Sequence, residues 1–290
     1  LHNIHYKLHT LALYSPIELF SSAKPEFGVP GANGVMSVVF LVAVIGACLG
    51  SFANVAALRS LDGRDWVRAP SACFHCHQKL RFWQNLPIVG YLSHGGKTAC
   101  CQQRLPARYI FVELAMAALL VLAWQQLPSF VFFGFVPFLV LMVVIFLTDM
   151  DDFIIPDWTS LGGLGLGLLL ALLNVPGLPD IKTAGLGGAA GFGLIYGINF
   201  IYKLWRGHDG MGFGDVKLMA MLGVWLGPVS LLPILFSASL SGAVIGIGAI
   251  VFHRLQNSEA APAQLPFGCF LTPMAVLWLL FAPQALQTLL

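Results

Sequence analysis

The chain is 290 residues long, 58% hydrophobic and 10% charged, with a mean hydropathy of +0.81. Soluble domains carry about 25% charged residues, so this composition excludes an ordinary soluble protein and points to a chain that crosses a bilayer repeatedly. The formal net charge of +2 gives no reason to expect a nucleic-acid partner.

Residues 1–34 hold three of the eight histidines (His2, His5 and His9) and no long apolar run, and are expected to form a short periplasmic arm. The first long apolar segment reaches spanning length, so no cleavable secretory signal is expected. A spanning helix needs about 20 mostly apolar residues, and eight runs qualify: 35–57, 110–127, 131–148, 158–174, 184–203, 216–231, 233–252 and 266–284. They are rich in Leu, Ala and Gly and lack period-two alternation, which argues for helices over strands. The predicted fold is an all-α polytopic membrane protein of about eight transmembrane helices. A small cytoplasmic, cysteine-containing domain (58–109) separates the first helix (35–57) from a transmembrane core (110–290). Within that core the pattern Leu161-Gly162-Gly163-Leu164-Gly165-Leu166-Gly167 predicts close helix packing in lipid.

Charge distribution predicts orientation. Arg59, Arg64, Arg68, Lys79, Arg81, Lys97, Arg104 and Arg108 all fall between the first two runs, so that loop should be cytoplasmic. With eight helices, Lys203, Arg206, Lys217 and Arg254 also lie inside, leaving Lys7, Lys24 and Lys182 outside. Both termini then face out, and Asp149 and Asp215 share the cytoplasmic side.

Of six cysteines, Cys48 and Cys269 lie in apolar runs and read as small buried hydrophobes. The others crowd into the basic loop as Cys73-Phe74-His75-Cys76 and Cys100-Cys101. On the reducing side of a membrane a Cys-x-x-Cys suggests metal rather than a disulfide. Two spaced pairs would surround zinc with four thiolates, but adjacent cysteines do not easily present both sulfurs to one ion. His75, His77 and His94 are candidate substitutes, and a metal-free loop packed around Phe74, Trp83 and Tyr91 is the alternative.

The acids carry the strongest signal, because an ionisable group near membrane depth is rare and usually functional. Asp149 follows the run Val131–Leu147, and Asp215 closes Gly212-Phe213-Gly214-Asp215 ahead of another run. Asp157 reads as the N-cap of the next helix, and Asp151 and Asp152 as pointing toward cytoplasmic basic residues or, more simply, into solvent as a turn. Glycines at 212 and 214 let another backbone approach closely. Two carboxyl groups a few ångströms apart share a proton, so one can activate water while the other acts as an acid.

These segments resemble a known family. Gly50-Ser51-Phe52-Ala53-Asn54-Val55 looks like the first-helix signature of the type IV prepilin leader peptidases, and Trp83-Gln84-Asn85-Leu86-Pro87-Ile88 with Ala107-Arg108-Tyr109 looks like their cytoplasmic domain. Asp149 with Ile155-Pro156-Asp157, and Gly210-Met211-Gly212-Phe213-Gly214-Asp215-Val216-Lys217, match the two catalytic segments. The resemblance implies a GxGD-type intramembrane aspartic peptidase with Asp149 and Asp215 as the catalytic pair and Gly212, Gly214 and Lys217 in support. Its substrates would be prepilin or pseudopilin precursors with a basic leader ending in Gly and an apolar helix beginning with Phe or Met. The family also N-methylates the new amine from S-adenosylmethionine, although no Gly-rich nucleotide fingerprint marks that site here. The implied location is the bacterial inner membrane, with the active site toward the cytoplasm.

One departure concerns the metal. Family members commonly carry two Cys-x-x-Cys pairs; alignment through Arg108-Tyr109 puts Cys101 on the fourth cysteine and Thr98 on the third, displacing Cys100 by two positions. Cys73, Cys76 and Cys101 are the candidate ligands, completed by Cys100 or a histidine, with the four-sulfur version expected to be strained. Two competing functions remain at this point. A proton-coupled transporter would use the acids as a relay, and a scaffold binding an assembly protein through its cysteine loop would leave them unexplained.

Overall fold

The computed structural model describes residues 32–63, 73, 76, 78–79, 86–208, 210–255 and 265–289. The expected N-terminal arm lies outside these residues, apart from its last three positions, which belong to the first helix. The elements are α1 (Ala32–Leu61), a short α2 (Val89–Ser93), α3 (Arg108–Gln126), α4 (Ser129–Asp152), α5 (Asp157–Leu172), α6 (Ile181–Arg206), α7 (Phe213–Leu226), a 3-10 turn (Pro228–Ser230), α8 (Leu231–Leu255) and α9 (Gly268–Leu289). Among the described residues there is no strand; an isolated bridge joins Lys97 and Arg104.

Each predicted run has its helix, but several ends move. The first helix is longer than 35–57 and carries Arg59 in its last turn. The fourth continues past Leu147 to Asp152, so Asp149 is helical rather than just beyond a helix. It stops where Phe153 turns left-handed and donates its N–H to the Asp149 carbonyl, three residues before Pro156. The run 216–231 is cut at Gly227 (φ 78°), after which Pro228 opens the 3-10 turn. Five segments are long and apolar enough to span a membrane by themselves: Met36–Leu61, Arg108–Gln126, Ser129–Asp152, Ile181–Arg206 and Pro228–Phe252. Helices α5 and α7, with 16 and 14 residues, extend about 24 and 21 Å at 1.5 Å per residue, short of a hydrocarbon core about 30 Å thick.

Helix α4 is the most enclosed of the five spans, with 61% of its most apolar window buried against 11% for Pro228–Phe252. Helix α7 is enclosed as well: every residue from Leu218 to Trp225 is buried, as is Val216. Around them α1 packs on α3 and α4, α6 and α5 pack on α7, and α9 packs on α4 and α8. Lipid offers no hydrophobic gain for joining helices, so close packing must hold them. A Cβ at Gly187 would collide with the Gly223 carbonyl, and one at Gly191 with the Met219 carbonyl, so α6 and α7 meet backbone to backbone. The expected glycine packing in 161–167 occurs at two positions: Gly163 faces Met221 and Gly167 faces the Trp225 indole, whereas Gly162 and Gly165 face open space. Trp225 donates Nε1–H to the Gly163 carbonyl at 2.8 Å and lies tilted against the rings of Phe135 and Phe138.

The Gly50–Val55 segment has a structural role in this arrangement. A Cβ at Gly50 would stand 2.9 Å from the Glu113 Cα, and Ala53, Ala56 and Ala57 are fully buried. Asn54, also buried, accepts from Arg108 Nε at 3.2 Å, and Arg108 pairs through Nη1 with Asp151 at 2.5 Å. Asp151 therefore meets a basic residue, one of its two expected arrangements, and ties α4 to α3. This polar tie joins α1, α3 and α4 just below the cysteine loop.

Candidate active site

Asp149 is only 4% exposed, in the last turn of α4. A bare carboxylate there would be costly, and its partner comes from the far end of the chain. Cys269, the second residue of α9, donates its backbone N–H to Asp149 Oδ2 at 2.9 Å. The N-terminus of α9, whose first N–H groups have no intrahelical partner, therefore receives the acid. Gly268 makes the approach possible, since a Cβ there would lie 2.8 Å from the same oxygen. Cys269 Sγ lies 3.3 Å from the Phe146 carbonyl. This corrects the reading of Cys269 as a small buried hydrophobe; Cys48, read likewise, is exposed. A glycine and an unspent backbone donor at the start of the last helix were the available sequence signal, but nothing local indicated which acid they served.

Asp215 occupies the first turn of α7, its N–H donating to the Gly212 carbonyl at 3.2 Å. Ile155 stands between two segments: a Cβ at Gly214 would meet its Cβ at 3.2 Å, and one at Gly268 its Cδ1 at 3.3 Å. The Ile155-Pro156 turn after α4 is thus wedged between the start of α7, which bears Asp215, and the start of α9, which receives Asp149. Gly212, extended at φ −67°, is the N-cap of α7 and faces Asp215 Oδ2. Lys217 pairs with Asp157 and lies 5.6 Å from the centre of the Phe213 ring. Asp157 is therefore a lysine partner at the first position of α5, not its N-cap; Pro156 holds the cap position, with no side-chain cap. The loop before α7 is held by Asn199 of α6, which bonds the backbone of Gly210 and Met211. Sequence reasoning missed Asn199, Gly268 and Glu113. The last is 6% exposed and accepts the Ile88 N–H at 2.7 Å, linking α3 to the start of α2.

The cysteines behave better than their spacing suggested. Cys73, Cys76, Cys100 and Cys101 bring all four sulfurs within 4.8 Å of one another. Cys76 and Cys100 are 3.2 Å apart, Cys73 and Cys101 3.7 Å, and Cys100 and Cys101 4.0 Å. A tetrahedral site with Zn–S bonds of about 2.3 Å needs sulfurs about 3.8 Å apart. The adjacent Cys100 and Cys101 do present both sulfurs to one cluster, and Thr98 Oγ1 sits 3.1 Å from Cys101 Sγ. Without a metal the Cys100 thiol is pushed up to about 12, first by hydrogen bonding with Cys76 and then with Cys73. His94 turns to Ser93 and the Gly90 carbonyl instead, and His75, His77, Phe74 and Trp83 lie outside the described residues. Four thiol donors at these separations suit zinc.

Two family matches divide the chain at the boundary between these features. Residues 44–127 match the bacterial peptidase A24 N-terminal domain, and residues 136–247, which hold both acids, match the type IV leader peptidase family. A prepilin leader peptidase/N-methyltransferase of Pseudomonas putida is 33% identical over 83% of this chain and 90% of its own length. The chain belongs to the type IV leader peptidase family. Proteins of the same description from Neisseria gonorrhoeae (33% identical, 83% of this chain, 89% of the relative) and Aeromonas hydrophila (34%, 72% and 71%) are also similar to it. No solved structure matches the chain significantly. Nothing in these likenesses supports the transporter alternative.

Proposed function

We propose that this protein is a membrane aspartic endopeptidase that removes the leader from type IV prepilin-like or pseudopilin precursors and then N-methylates the new terminus. The observation that carries this reading is that Ile155 packs against both Gly214, beside Asp215, and Gly268, beside the donor to Asp149, with both acids inside the segment matched to the family. The two carboxyl groups share one proton: the ionised member takes a proton from water, and the protonated member donates to the scissile carbonyl oxygen as the tetrahedral centre forms. Gly212 leaves room for an extended substrate backbone beside Asp215, Gly214 packs against Ile155, and Lys217 with Asp157 steadies the neighbouring helix starts. This chemistry needs neither a nucleophilic side chain nor a metal.

The substrate would present a basic leader on the cytoplasmic side and an apolar helix within the bacterial inner membrane. The partition of basic residues supports that orientation: a reporter fused near Lys79 should read cytoplasmic and one near Asp180 periplasmic. S-adenosylmethionine would supply the methyl group. Cys73, Cys76, Cys100 and Cys101 would hold a structural zinc that organises the basic loop without entering the hydrolysis. The deciding experiment is cleavage of a membrane-presented pilin precursor by the purified protein, with mass analysis of the new N-terminus. Absence of cleavage by folded, inserted protein would overturn the reading.

A further inference from the structure

The loop carrying the glycine motif is secured by a residue outside the motif. Asn199 lies on α6, eleven residues before Gly210. Its Oδ1 accepts the N–H of Gly210 at 2.8 Å and of Met211 at 3.1 Å, and its Nδ2 donates to the Met211 carbonyl at 3.4 Å. One side chain thus satisfies three backbone groups in two consecutive residues. Tyr202, one turn further along α6, supports the same segment: a Cβ at Gly210 would lie 2.6 Å from its ring. Four residues beyond Met211 comes Asp215.

Such a hold is needed for physical reasons. The stretch from Gly207 to Gly214 contains four glycines, which cost the most conformational entropy to order. Asparagine is also a poor residue for a helix interior, so helix formation does not account for its place in α6. Close backbone packing makes α6 and α7 one rigid pair, and a loop tied to α6 is therefore tied to the frame on which Asp215 stands.

We propose that Asn199 is a positioning residue for Asp215, clamping the Gly210-Met211 backbone so that the carboxylate meets its partner and the substrate in register. The proposal rests on Asp215 being catalytic, and its test separates the two ideas. In Asn199→Ala, amide exchange of the 207–216 peptide should accelerate by about tenfold or more while α4 and α9 are unchanged. In the same variant kcat for precursor cleavage should fall by about ten- to a hundredfold, with KM nearly constant, because misplacement disables chemistry rather than capture. Asn199→Asp keeps the acceptor for both N–H groups and should recover most of the protection and of kcat. Asn174→Gly, at an exposed loop position with φ 52° that glycine adopts freely and whose amide reaches the nearby Leu172 carbonyl, serves as the neutral control. Unaltered exchange in Asn199→Ala would remove the clamp. Faster exchange with normal kcat, a change confined to KM, or an Asn199→Asp variant no better than the alanine would remove the positioning role. The exchange measurement requires no catalysis, so it stands even if Asp215 proves dispensable.

Discussion

Asp149 and Asp215 are held by different kinds of structure. Asp149 sits at the end of a long buried helix and is received by the N-terminus of α9, whose Cys269 lies 120 residues further on. Asp215 stands in the first turn of a short helix, behind a glycine-rich loop tied down by Asn199. The first arrangement joins two packed helices through a backbone donor; the second depends on a few hydrogen bonds between α6 and the loop. An enzyme that admits an extended peptide beside one acid gains from a fixed partner opposite it.

The largest expected effect erases this difference. Asp149→Asn and Asp215→Asn should each lower cleavage by at least about a thousandfold, with the double variant no worse, because groups sharing a proton act as a unit. Full activity of either variant, measured on folded and inserted protein, would dismiss the pair.

Next come substitutions that strike the two sides unequally. Gly268→Val places carbon against Asp149 Oδ2 and Ile155 and should cost roughly a hundredfold in kcat through misplacement. Gly214→Ala meets only Ile155, at a distance a small shift relieves, and should cost about tenfold or less. The opposite order in a kcat comparison would show that the Asp215 side is the stiffer one.

The cysteine loop should matter less for hydrolysis. Chelator should remove zinc detected by metal analysis, and any loss of cleavage should follow loop unfolding seen by limited proteolysis, staying well short of the loss in either Asp variant. Cys100→Ser should reduce zinc content, and adding Thr98→Cys should restore it by supplying the fourth thiolate at the family position. Cleavage that stops on chelation while the loop stays folded would assign the metal a direct role. The smallest effect is expected for Asp157→Asn: its carboxylate is largely exposed and its pairing with Lys217 is worth little in water, so kcat should stay within about threefold of wild type.

Much of this protein is written locally. Apolar runs of spanning length identify the helices, and the two acids stand out because a carboxylate beside such a run is rare. The glycines beside Asp215 and the asymmetric basic residues belong to the same class of signal: each is a property of a window of sequence. The donor to Asp149, the Asn199 hold, the pairing of Asp157 with Lys217 and the approach of Cys100 to the other sulfurs are of another kind. Each joins residues whose chemistry is ordinary in its own window: a glycine opening a helix, an asparagine within one, an acid after proline, an adjacent cysteine. Their roles arise from which partner lies opposite, and in lipid that is set by small residues such as Gly187, Gly191 and Gly223 letting particular backbones touch. Periodicity reveals that a helix has a packing face; only the assembled bundle decides what that face meets.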